Sequence, residues 1–187
     1  MADLRILPQN LRLFFSSYRP EIQFSFRFLV ILALLNGIYY LFAKTPVEDF
    51  ILSTLTAKPP ALIINFLTPA EKVIVAGTQL TSQHVVFSVV SGCEGMGGIL
   101  LIISAITAAS VRLRDKLIGL LEGVAFIYFL NIFRIVGLYY VMRYWGGFFN
   151  FAHYFVGQTI IIILGCAFFV LWISKNINRE DDRKAMS

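Results

Sequence analysis

The sequence predicts an all-α polytopic membrane protein of about four transmembrane helices, with a small extracytoplasmic hairpin or re-entrant region between spans one and two. Three observations carry this. Hydrophobic residues make up 58% of the 187 and charged residues only 14%, against roughly 45–50% and 25% in soluble domains. Apolar segments at 25–43, 93–111, 117–142 and 153–174 approach the ~20 residues that cross a bilayer as a helix. Basic residues collect on one side of these segments. The mean hydropathy is +0.75, and the length suits a single integral membrane domain over 1–187.

Charge orients the spans. Arg5, Arg12 and Arg19 in the basic segment 1–24, and Arg27 just after it, mark one end of the first span. Arg112, Arg114 and Lys116 separate the second and third, and Lys175, Arg179, Arg183 and Lys184 mark the tail 175–187. The other side holds Lys44, Lys58, Lys72 and Arg143. The positive-inside rule then places both termini and the 111–116 turn in the cytoplasm. The net charge of +5 therefore reads as topology and attraction to anionic headgroups, with no nucleic-acid partner. The first apolar run has no small-residue cleavage site after it, so it reads as an anchor and not as a signal peptide.

Residues 44–92 fall outside the membrane on this plan. Thr45-Pro46 suits a helix start, and Lys58-Pro59-Pro60 reads as its break. Residues 61–67 are apolar but too short to span, so they lie in the interface or re-enter. The β-branched runs at 73–77 and 84–90, on either side of a polar break at 78–83, read as a hairpin.

Ionisable residues within membrane segments are costly and mark function by default. Cys93 lies nineteen residues from Arg112, Arg134 eighteen from Lys116 and His153 twenty-two from Lys175. As continuous helix these are about 28, 27 and 33 Å, near the ~30 Å hydrocarbon thickness. All three therefore reach the outer face at one height, on three consecutive spans with short connections. A thiol at a helix N-terminus beside a cation is activated as a nucleophile. Histidine shuttles protons, and arginine donates to a developing oxyanion. The trio spells acyl transfer through a thioester.

Gly92, Gly95, Gly97 and Gly98 permit close backbone approach at the helix mouth, for a peptide or for tight helix packing. Asn131, one turn from Arg134, either orients it or makes a structural contact between helices. Glu94 reads first as a favourable first-turn acid, and second as a group that tunes Cys93 or contacts substrate. Glu122 pairs with a base at the cytoplasmic face or relays protons. His84 is a spare base in the hairpin. Cys166, about 20 Å deeper than His153, reads as core and cannot bridge to Cys93. Tyr39-Tyr40, Tyr139-Tyr140, Trp145 and Phe148-Phe149 read as outer-belt aromatics.

Ser91-Gly92-Cys93-Glu94-Gly95, Asn131-Ile132-Phe133-Arg134 and His153-Tyr154-Phe155-Val156-Gly157 resemble the Cys, Arg and His motifs of the exosortase/archaeosortase family. The resemblance covers about 73–174, in family order, and the length suits a compact member. Glu94 stands where a small residue is expected. The resemblance implies a multi-pass cysteine transpeptidase or protease of the bacterial cytoplasmic (inner) membrane, with its site facing outward. Its substrates are secreted proteins bearing a C-terminal motif, a transmembrane helix and a basic tail, and an acceptor at the surface resolves the thioester. Cys93 is then the nucleophile, His153 the general acid/base and Arg134 the oxyanion stabiliser, with Asn131, Gly92, Gly95 and Glu94 in support. No metal or other cofactor is implied. A thiol–disulfide oxidoreductase lacks its Cys-x-x-Cys. A small transporter or non-enzymatic scaffold is the alternative from another class, and it leaves Cys93 without a role.

Overall fold

The computed structural model describes residues 19–42, 45–89 and 92–185. Arg5, Arg12, Lys44 and Ser91 lie outside the described residues, as do the side chains of Arg179, Arg183 and Lys184. Helices α1 (Arg19–Phe42), α2 (Pro46–Leu67), α4 (Leu113–Tyr144) and α5 (Gly146–Ile177, continuing to Ala185) are long and apolar enough to cross a membrane. A fifth apolar helix, α3 (Met96–Ala108), has only 13 residues. Strands β1 (Ile74–Ala76), β2 (Gln79–Thr81) and β3 (Val86–Ser88) lie between α2 and α3. The chain is thus an all-helical, multi-pass membrane protein with one small sheet.

The expected break at Lys58-Pro59-Pro60 does not occur. The helix passes through it by way of a π-helical stretch, Ile51–Ala57, before resuming as Lys58–Leu67. The two prolines leave the Leu55 carbonyl with no backbone donor four or five residues on. The Tyr128 hydroxyl of α4 supplies one instead, at 2.8 Å. A helix that looked untenable in isolation is completed by its neighbour. So 61–67 is the end of a 22-residue helix and not an isolated short segment.

The course of α2 is fixed by its contacts. Its start, at Val47, Glu48 and Ile51, faces Tyr39 of α1 and Met96 of α3. Leu55 meets Tyr128, and Thr68, just past its end, shares a 2.6 Å hydrogen bond with the Tyr140 hydroxyl. It therefore runs beside the C-terminal half of α4, away from Arg112–Lys116. The sheet follows it to the same end.

That sheet has three strands where a two-stranded hairpin was expected. Residues 79–81, inside the anticipated polar break, form its centre, in the order β1-β2-β3 and antiparallel throughout. Gly77, at φ 61°, makes the first turn with Thr78. Leu80 is fully buried opposite Phe87, while Gln79 and Thr81 face the other way. One inward side chain is enough to hold this short strand.

Two apolar clusters stack along the bundle. The upper one joins α2, the sheet, Cys93 and the C-terminal half of α4, with Ile64, Leu80, Phe87 and Tyr139 at its centre. The lower one joins α3, α4 and α5 through Ile102, Ile106, Ile127, Ile161 and Trp172. Helices approach closely there because glycine leaves room: a Cβ on Gly119 would collide with the Trp172 indole. Helix α1 has no buried residue and lies on the periphery.

Several aromatic and cysteine readings need correcting. Tyr139 is fully buried and Tyr140 partly so, with both hydroxyls bonded inside the fold, so they are not belt residues. Phe149 packs on the upper cluster, whereas Trp145 and Phe148 remain on the surface. Cys166 is exposed on α5 and is not core. Glu122 is likewise on an exposed face.

Glu71 pins the sheet to α4. Its buried carboxylate accepts hydrogen bonds from the Tyr139 hydroxyl at 2.7 Å and Arg143 Nε at 3.2 Å, and His84 Nδ1 lies 3.4 Å away. The Tyr139 hydrogen bond is the main reason its pKa falls to about 2; bonds from Arg143, His84 and Ser82 add to this, against the cost of burial. A carboxyl held low stabilises the fold fully above about pH 4.5, and this is lost as pH falls towards about 2. Tyr139→Phe removes a hydrogen bond to a charged group and should cost about 1.5–3 kcal/mol at pH 7. Thermal unfolding of the purified protein in detergent should show that difference at pH 7 and a smaller one at pH 3.

Candidate active site

The nucleophile candidate sits on a short non-helical segment. Gly95 caps α3 with φ 77° and Gly92 has φ 96°, a left-handed region open to glycine. The second apolar segment is therefore not helical from 93. Its helix starts three residues after Cys93, which hangs on the loop before it. Cys93 is 2% exposed.

Three side chains hold that loop. The Asn131 amide of α4 donates to the Cys93 carbonyl at 2.7 Å. It occupies the space of a side chain at 95: a Cβ there would stand 2.8 Å from Asn131 Cγ. Glu94, 5% exposed, turns back to accept the Gly92 N–H. Its other oxygen accepts from the Tyr39 hydroxyl of α1.

His153 arrives from α5 on a π-helical turn, Ala152–Val156. Such turns offset the side-chain register and recur at functional sites. The ring stacks on Phe149 (5.6 Å between centroids) and meets Tyr154 edge-on. Its Nε2 lies 3.8 Å from Cys93 Sγ. Arg134 of α4 donates from Nη2 to the His153 carbonyl at 3.1 Å, and Nη1 is 3.5 Å from Asn131 Oδ1. The guanidinium is within electrostatic reach of both Cys93 and Glu94. Its path crosses Gly157, where a Cβ would stand 2.6 Å from Arg134 Nε.

The structure thus brings together Cys93, Arg134 and His153 with Asn131, Gly92, Gly95 and Glu94. It leaves His84 with Glu71 and leaves Cys166 and Glu122 on outer faces of the bundle. Among the described residues, Arg134 Nε and His153 Nδ1 are buried without a hydrogen-bond partner in the protein. Two residues were missed. Tyr39 looked like one of a belt pair, and no local signal links it to a glutamate 55 positions away. Gly157 stood in the quoted histidine motif, but its role needs the path of Arg134. No group of three or more metal-ligating side chains is found among the described residues.

A thiol, an imidazole and a guanidinium converge here in a bundle whose long apolar helices define a multi-pass membrane protein. The chain belongs to the transmembrane exosortase family, whose model matches residues 11–173. Membership makes it a membrane exosortase, and it implies secreted protein substrates that carry sorting signals. No curated protein and no solved structure matches the chain.

Gly157→Ala should displace Arg134 and, if the guanidinium serves the reaction proposed below, slow the processing of sorting-signal proteins about ten- to a hundredfold. Gly137→Ala, on the same stretch of α4 with nothing within 4 Å of its Cβ, should leave processing unchanged. Pulse–chase labelling of a substrate in cells carrying each variant reads the difference.

Proposed function

We propose that this exosortase is a cysteine transpeptidase or peptidase that removes a C-terminal sorting signal through a thioester on Cys93. The observation that supports this most is the 3.8 Å approach of Cys93 Sγ to His153 Nε2, beside a guanidinium with unused donors. With the proton of the neutral imidazole on Nδ1, Nε2 is free to accept the thiol proton. The thiolate attacks the scissile carbonyl carbon, and the oxyanion forms near the remaining Arg134 N–H groups. His153 returns the proton to the leaving amine, and the C–N bond breaks. A surface acceptor, or water in the hydrolytic case, then resolves the thioester and restores the thiol.

Arg134 has a second task on this reading. By holding the His153 carbonyl it fixes the π-turn that aims the imidazole, so the cation both orients the base and faces the developing charge.

The membrane placement is part of the proposal. Helices α1, α4 and α5 cross a bacterial cytoplasmic membrane with both termini inside, and the 13-residue α3 completes the second span together with the Cys93 loop before it. The outer half of α4, α2 and the sheet form the outward layer. This is supported by the charge asymmetry and by α2 running towards Arg143, the end of α4 remote from Lys116. A substrate with a C-terminal transmembrane helix would present its motif at the depth of Cys93. It reaches the thiol by displacing packed neighbours such as Phe149 and Ala152.

Mass spectrometry of surface and membrane proteins from the host tests the reading. Cys93→Ala should leave intact a set of C-terminal transmembrane tails that are lost with the native enzyme. His153→Ala should slow their loss about 10²–10⁴-fold. Tails removed equally without Cys93 would defeat the thioester mechanism and favour a transporter or scaffold.

A further inference from the structure

The Cys93 loop is tied on two sides, and one tie has no part in the chemistry described so far. Asn131 binds the Cys93 carbonyl from α4. On the other side, Glu94 bridges the Gly92 N–H and the Tyr39 hydroxyl. Both carboxylate oxygens thus face donors. Glu94 is 5% exposed, so its polar oxygens depend on these donors in place of water. Gly92 and Gly95 leave the backbone on either side of the thiol with wide freedom. Without the bridge, that freedom would act on Cys93 directly.

Tyr39 and Tyr40 show that the contact is selective. Tyr40 is 79% exposed, while its neighbour turns inward to the carboxylate. Tyr39, half-buried, lies in the last turn of α1, a helix with no fully buried residue.

We propose that Tyr39 and Glu94 are a positioning pair that fixes the Cys93 loop and makes the first span part of the active-site framework. Glu94 folds the loop back on itself, and Tyr39 holds the folded loop against α1. Neither group takes a proton from the substrate. Their effect is to keep Sγ within reach of His153. The inference rests on the proposed cysteine mechanism, and its test separates the two.

The test uses the full-length protein in native membranes, with N-ethylmaleimide as the probe of Cys93 and pulse–chase tail processing as the readout of activity. Tyr39→Phe keeps the ring and loses one hydrogen bond. Glu94→Gln keeps the shape and loses the charge. Each should slow processing about tenfold while Cys93 alkylation speeds up, because the loop loosens around a buried thiol. The faster alkylation, read on the Cys93 peptide, should appear well below the onset of thermal unfolding, which a general loss of stability would not allow. The double variant should be no slower than Glu94→Gln alone, since both act through one bridge. Tyr40→Phe should behave as native. Unchanged alkylation and processing in Tyr39→Phe, or losses that multiply in the double variant, would overturn the pair. Processing that survives in Cys93→Ala would instead overturn the cysteine mechanism, while the alkylation data would still report on the loop.

Discussion

The site depends on one buried amide. Asn131 donates to the Cys93 carbonyl, stands where a side chain at Gly95 would be, and faces Arg134 with its oxygen. It is 2% exposed, out of reach of bulk water as a replacement for a lost partner. In such surroundings an unsatisfied donor or acceptor costs about 1–3 kcal/mol. This side chain therefore locks the height of the Cys93 loop to the third of the proposed spans. Arg134 then extends the connection to α5 through the His153 carbonyl.

The rest of the fold serves that connection. Gly119 and Gly123 let α4 approach α5 and α3 closely, so that residues on three helices meet at one level. Above the site, α4 continues for about 15 Å beyond Arg134, and α2 and the sheet pack on that extension. Glu71 secures the sheet with two hydrogen bonds and a neighbouring histidine. The thiol is consequently covered on one side by an ordered layer and is held on the other by the bundle.

The sequence made the convergence of Cys93, Arg134 and His153 legible through arithmetic alone. Each lies a similar number of residues from a basic anchor, and helical rise turns such counts into depths. The same arithmetic assumed continuous helix through Cys93. It could not register that Gly95 ends α3 or that a π-turn carries His153. The persistence of α2 through two prolines was hidden for a related reason: its remedy, the Tyr128 hydroxyl, lies 73 residues away. Local propensity says what a segment prefers alone, not what a distant donor repairs. Tyr39, Tyr139 and Tyr140 failed likewise, because belt and buried tyrosines differ only in what their hydroxyls find.

The most direct measurement of the central claim is trapping of the acyl-enzyme. Purified protein would be mixed with a membrane-anchored protein bearing a processed tail, then quenched in acid and analysed by intact mass and peptide mapping. The account predicts a hydroxylamine-sensitive adduct on Cys93 whose mass equals the substrate without its tail. It also predicts much less adduct when Asn131→Ala frees the loop. A tail released with no adduct on Cys93 at any time, or an adduct on another residue, would contradict it.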